Sequence, residues 1–174
     1  MKRNFNTKLS GQIGENLVVA ELGRRNIIAT AFAGNVPDID LLAYKNGKSI
    51  ALQVKALKSG SVRTKANLYI DIEIKGKQQI IKGINKNINR ELIFVIVLIG
   101  KSSEEDKFYI CEQGQIQDII YEGYNNYLYK EKDKNGNTKN GIRPRNHESF
   151  DSSLSIEHLE KYKNNWDLIE KSFL

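Results

Sequence analysis

The chain has 174 residues, enough for a sizeable core, and at 40% hydrophobic and 28% charged it has the make-up of an ordinary water-soluble globular protein. Lys and Arg number 27 against 21 Asp and Glu, a formal net charge of +6 that suits a polyanionic partner. The single cysteine, Cys111, excludes an internal disulfide and a cysteine-based zinc site, and fits a reducing cytoplasm as an inert buried thiol.

The first residues lack the apolar run of a signal peptide. Residues 9–25 carry Ile13, Leu17 and Ala20, with Val18 and Leu22, at helical spacing. Ser10 is the expected N-cap and Asn26 the expected end. Residues 27–33 read as a strand, and Gly34-Asn35 turns the chain into Pro37, which suits a strand start or edge. Residues 38–44 and 49–57 read as two strands joined by Asn46-Gly47, a strong hairpin signal.

Residues 58–65 are basic, polar and glycine-containing and are expected to be a loop. Residues 68–74 alternate as a short strand. Residues 75–89 are expected to be helical, with Ile80, Ile81 and Ile84 apolar and a basic opposite face, although Gly76 and Gly83 weaken that pattern. Residues 92–99 form the most apolar run. At that length it is a buried β-branched strand and far too short to span a bilayer. Residues 108–111 form its neighbour, and 115–121 a short helix.

Residues 124–146 are polar and aromatic, and read as a long loop or mobile hairpin with a turn at Asn135-Gly136. Tyr124, Tyr127 and Tyr129 fit a packed aromatic loop better than a base-stacking platform. Residues 155–173 close the chain as an amphipathic helix with Leu159, Tyr162, Trp166 and Ile169 on its apolar stripe. The expected fold class is α/β, a mixed β-sheet flanked by helices in one domain spanning 1–174, with its core at about 8–112 and a C-terminal extension at about 113–174.

Alternation along the hairpin carries the chemistry. In a strand, alternate side chains share a face. Asp38 and Asp40 point one way, Ile39 and Leu41 the other. Gln53 and Lys55 share a face, opposite Leu52, Val54 and Ala56. Folding the hairpin brings carboxylates, an amide oxygen and an ammonium together, the groups that metal-assisted phosphodiester cleavage requires. His147 and His158 have no partner at metal-ligand spacing, and Gly11 to Glu15 lacks the lysine of a phosphate-binding loop.

Gly14-Glu15 on a helix, then Pro37-Asp38-x-Asp40, then Gln53-x-Lys55, resembles the PD-(D/E)XK nuclease superfamily, and within it the Mrr-like restriction endonucleases and archaeal Holliday junction resolvases. The likeness covers about the first 57 residues, more loosely to the strand at 92–99. It implies a restriction-endonuclease-like core in α-β-β-β-α-β order, here followed by a C-terminal helix. It also implies a Mg²⁺-dependent DNA endonuclease of restriction, defence or repair type, with Mn²⁺ expected to substitute. The family's helical glutamate falls on Glu15, its metal-binding aspartate on Asp40 or Asp38, and its lysine on Lys55. Gln53 replaces the acid of the second motif. The metal set is thus Asp40, Gln53, Asp38 and Glu15, and a homodimer is an arrangement that family members often adopt.

A neutral Gln53 oxygen can bind Mg²⁺ but brings no charge, which keeps open a binding module or a defence-complex subunit with weakened chemistry. Lys55 is the expected base, or the cation that stabilises transition-state charge. Lys58, Arg63, Lys65, Lys75, Lys77, Arg143 and Arg145 are the expected nucleic-acid contacts. Taken singly, each has an ordinary reading: Glu15 as the wet face of a helix, Asp38 as a turn residue, the basic loop as solvated surface.

Overall fold

A computed structural model describes residues 2–32, 39–143 and 146–174, with side chains from residue 8 onward. In chain order the elements are α1 (Lys2–Arg24), β1 (Ile28–Ala31), β2 (Leu41–Lys45), β3 (Lys48–Leu57), β4 (Ser61–Lys65), β5 (Ile70–Lys75) and β6 (Gln78–Ile84). They continue with β7 (Ile93–Leu98), β8 (Lys107–Glu112), α2 (Gln113–Asn125), β9 (Asp151–Ser155) and α3 (Asp167–Lys171). The chain divides into two compact units, one of residues 1–61, 91–113 and 156–174, the other of 62–90 and 114–155.

The first unit is a five-stranded mixed sheet in the order β1-β2-β3-β7-β8. Only β3 and β7 run parallel; the other neighbours are antiparallel. This is the α/β class expected, a mixed sheet with helices against it. Asn46 and Gly47 connect β2 to β3 with both φ angles positive (52° and 81°), as a two-residue type I′ turn requires. That turn sets the register, pairing Lys45 with Lys48 and Leu41 with Leu52.

Register divides the sheet into two faces. Leu41 and Ala43 of β2, Leu52 and Val54 of β3, Val95 and Val97 of β7, and Ile110 of β8 join Val18 and Leu22 of α1 and Ile169 of α3 in one core. Each such fully buried aliphatic side chain contributes about 1.5–3 kcal/mol. Both faces of β7 are buried, which explains its unbroken apolar run.

The buried stripe of α1 is Ser10, Gly14, Val18 and Leu22, spaced by four. It differs from the expected stripe because small residues at 10 and 14 let the helix approach the sheet, leaving Ala20 exposed. The helix starts at Lys2, so Ser10 lies within it rather than capping it. At the other end Asn26 adopts φ 56°, as expected of a terminator. Asn26 N–H donates to the Gly23 carbonyl and Ile27 N–H to the Leu22 carbonyl, a Schellman closure whose apolar partners Leu22 and Ile27 are both buried.

The C-terminal segment is not one helix. A 3₁₀ stretch, Ile156–Tyr162, stops at Asn164, whose φ of 53° breaks the helical path, and α3 follows. Leu159, Tyr162, Trp166 and Ile169 are nevertheless all buried, as their spacing predicts. Phe108 and Trp166 pack with ring centroids 5.3 Å apart, and the Arg25 guanidinium lies 4.4 Å from the centre of the indole.

The second unit holds two two-stranded sheets, β4-β9 and β5-β6. Residues expected as a loop form β4, and those expected as a helix at 75–89 form β6 instead. Gly76 (φ 60°) opens a two-residue turn of the type that takes glycine first, and Ile72 pairs with Ile81 across the hairpin. β-Branched Ile80, Ile81 and Ile84 favour the strand once β5 offers a partner.

The polar stretch from Tyr124 is packed, not loose. It ends α2, continues as one π-helical turn over Asn126–Lys130, and turns back at Gly136, where Lys132 bridges Thr138. Gln79, fully buried, organises it. Its side-chain amide donates to the His147 and Ser149 carbonyls, and its side-chain oxygen accepts from the Tyr124 hydroxyl at 2.6 Å.

Candidate active site

The face of the first sheet opposite α1 carries Gln53 and Lys55, with Asp40 beside them at the end of the β2–β3 ladder. Asp40 stands one residue before the last β2–β3 pair. Its amide donates to the Leu52 carbonyl (2.9 Å), and its own carbonyl accepts from Phe32 N–H (3.1 Å). Its side chain takes over where the backbone ladder stops: carboxylate Oδ2 accepts from Val54 N–H at 2.7 Å. A charge-assisted bond of this length fixes the carboxylate and leaves its other oxygen for a ligand.

Gln53 and Lys55 flank Val54 on β3 and face away from the core that Val54 joins. β3 lies inside the sheet, between β2 and β7. Gln53 pairs with Phe94 and Lys55 with Ile96 on β7, and both partners are buried. The ammonium of Lys55 thus rises from an apolar strand rather than from a wet edge. Gln53 is itself 9% exposed, and among the described residues its side-chain amide makes no hydrogen bond.

Glu15 comes from α1, and Gly14 sets its approach. A β-carbon at Gly14 would stand 2.4 Å from Ala56 Cβ and 3.6 Å from Val54 Cγ1. Only the missing side chain lets the helix come this close to β3. Glu15, half-buried, then senses both charges of the strand pair. Its pKa is raised, first by burial and then by the Asp40 carboxylate, while Lys55 opposes the shift. Glu15, Asp40 and Lys55 therefore form one electrostatic cluster with Gln53 beside it. The chain-order signal for Gly14 was its place in the four-residue spacing of Ser10, Val18 and Leu22, which the apolar pattern alone passes over.

Asp38 and Arg145 lie outside the described residues. Lys58 is exposed at the end of β3. Arg63 and Lys65 are exposed on β4, with Lys65 paired to Asp151. Lys75 and Lys77 are exposed at the β5–β6 turn. Arg143 is engaged within its own unit: it donates to the Tyr124 hydroxyl (2.9 Å) and the Ser149 carbonyl, and lies 5.3 Å from the Tyr127 ring centre. The three tyrosines are packed, with Tyr129 hydroxyl donating to the Gln79 carbonyl and the Lys139 ammonium 3.8 Å from the Tyr127 ring centre. Burial pushes the Cys111 thiol up to about 12, as an inert thiol requires.

Among the described residues no three His, Cys, Asp or Glu side chains form a metal-binding group. The cluster supplies two carboxylates and a neutral amide instead. No helix among the described residues is long and apolar enough to cross a membrane.

No family model matches the chain, and no curated protein matches it. Among solved structures it is similar to a bacterial homing endonuclease, I-Ssp6803I, at 17% identity and a TM-score of 0.47, over 95% of this chain and 94% of that one. That likeness is one of fold at most and assigns no residue a role.

Proposed function

We propose that the chain is a metal-dependent DNA endonuclease of the PD-(D/E)XK type, of restriction, defence or repair character, with Asp40, Glu15, Gln53 and Lys55 as its centre. The observation that carries the reading is the clamped Asp40 carboxylate, held by Val54 N–H on the strand that also presents Gln53 and Lys55. Asp38 is proposed as a helper, and Lys58, Arg63, Lys65, Lys75, Lys77, Arg143 and Arg145 as phosphate contacts. Burial first, and the Asp40 carboxylate second, raise the Glu15 pKa, so its charged form costs the fold some stability, a cost that a bound cation would offset.

The donor set fits Mg²⁺, with Mn²⁺ as substitute. Asp40, Glu15 and the Gln53 amide are hard oxygen ligands, and one or two protein carboxylates are what Mg²⁺ ordinarily takes. A divalent cation would relieve the Glu15–Asp40 repulsion. When bound, it would supply Lewis-acid stabilisation of phosphorane charge and acidify a water. The protein's own part is placement. Asp40 is fixed by the backbone, Lys55 offers a positive charge or a proton-accepting amine at the phosphate, and Glu15 orients the water side.

The test is incubation of the full chain with supercoiled and junction-containing DNA, with Mg²⁺, Mn²⁺ or chelator, beside Lys55→Ala and Asp40→Ala. Metal-dependent products lost in both variants are expected. Full cutting by either variant refutes this site. Gln53 favours a second reading, a nuclease fold kept for binding, because its amide contributes no charge. DNA binding without any product in either metal would select it.

A further inference from the structure

Resting on the DNA-cleaving reading, we propose that the outward face of the β5–β6 ribbon reads base edges in the major groove of duplex DNA. The ribbon is a two-stranded antiparallel sheet in its own right. Its register sorts the side chains. Ile72, Ile74, Gln79 and Ile81 share one face, on which Gln79 is fully buried and Ile74, next to the turn, is exposed. Glu73, Lys75, Gln78 and Ile80 share the opposite face, with Lys82 following them beside the bulge at Asp71 and Ile72.

That face is mixed in a way that bare phosphate binding does not need. It carries a carboxylate, an amide, ammonium groups and one branched aliphatic side chain. These are the groups that pair respectively with cytosine N4, adenine N6/N7, guanine O6/N7 and the thymine methyl. A phosphate-only surface would have no use for Glu73, which an anionic backbone repels. Here Lys82 pairs with it at 2.6 Å and holds its carboxyl below the usual range. Lys75, Lys77 and Lys82 outnumber Glu73 and Asp71, so the ribbon as a whole remains cationic.

The dimensions agree. A two-stranded ribbon is an element the major groove, about 12 Å wide, admits. Alternate residues along a strand lie about 6.6 Å apart, close to two base-pair steps of about 3.4 Å. Gln78, half-buried, pairs with Lys75 beside the β5–β6 turn, which puts its amide next to an ammonium on the outward face.

The experiment is selection from a randomised duplex library by the full chain in chelator, then cleavage of selected and unselected duplexes in Mg²⁺. It is run for wild type, Gln78→Ala, Lys75→Ala and Lys58→Ala, each checked for an unchanged melting temperature. The proposal expects wild type to enrich a sequence and Gln78→Ala to relax one or two adjacent positions by about tenfold. Lys58→Ala should weaken all sequences alike. If wild type cuts DNA but Gln78→Ala and Lys75→Ala keep its preference, or it has none, the ribbon proposal fails and the nuclease reading stands. Selection of single strands or RNA also overturns it. If wild type neither binds nor cuts duplex, both readings fall. Lys75, at the exposed tip, serves as the readout should Gln78→Ala disturb the fold.

Discussion

Substituting Gly14 by alanine tests the helix–strand approach on which the candidate site depends. In an ordinary exposed helix the change would stabilise by about 1 kcal/mol, because alanine is the better helix former. Here the added carbon would lie 2.4 Å from Ala56 Cβ. Carbon atoms rest at about 3.5–4.0 Å, so helix and strand must part by more than an ångström. Ala56 Cβ is rooted on the backbone of an internal strand and cannot swing away. Overpacking of this kind costs about 1–3 kcal/mol. The net effect is destabilisation of up to about 2 kcal/mol, a fall in melting temperature of about 4–8 °C for a chain of this size. Ala56→Gly in the same chain removes the struck atom, so the double mutant should regain most of the loss despite glycine's cost in a strand. Thermal melting of the four proteins measures the cycle, and Mn²⁺ titration reports the displacement of Glu15, with weaker affinity expected in Gly14→Ala alone. A Gly14→Ala protein more stable than wild type, with the two changes additive, would refute the close approach.

Glu15→Gln should raise the melting temperature at neutral pH without metal. The Glu15 pKa is raised in the fold, so its charged form costs stability above that pKa, and the cost fades as pH falls through it toward the ordinary value of 4.5. The gain should therefore vanish below the ordinary value, and a gain that persists at acid pH would contradict the electrostatic origin. Mn²⁺ affinity should fall as Glu15 takes up its proton, a dependence that calorimetry would lose in Glu15→Gln. Asp40→Asn should keep the bond from Val54 N–H through the amide oxygen and remain folded, yet lose cleavage by about 100-fold or more, measured by plasmid nicking. Gln79→Ala should destabilise the second unit by about 2–4 kcal/mol, since the His147 and Ser149 carbonyls and the Tyr124 hydroxyl lose a shared buried partner. Denaturant melts of Gln79→Ala beside Tyr124→Phe, expected at about 1 kcal/mol, would check the ordering.

Local chemistry was readable where a local rule governs. Asn46-Gly47 is a turn whatever surrounds it, because both residues tolerate positive φ. Once the turn is known, the two-residue period puts Gln53 and Lys55 on one face and Val54 on the other. The run at 92–99 could be nothing but a buried strand, since every residue is apolar and five of the eight are β-branched. Cys111 was readable as inert for the same reason.

Other features depend on partners distant in the chain. Ile80, Ile81 and Ile84 suit a helix or a strand, and the pairing with Ile70–Lys75 decided for the strand. Arg143 reads as a nucleic-acid contact, yet Tyr124 and the Ser149 carbonyl engage it. Gln79, an unremarked polar residue in sequence, becomes a buried hub because three long-range groups converge on it. At the candidate site, residue types and faces were set by sequence alone. That the Asp40 carboxylate is clamped by Val54 N–H, and that Glu15 senses its charge where Gly14 brings α1 against Ala56, required the hairpin register and the helix–sheet distance. The register follows from the local turn at Asn46-Gly47, but the helix–sheet distance is a product of packing between segments about forty residues apart, and no local pattern encodes it.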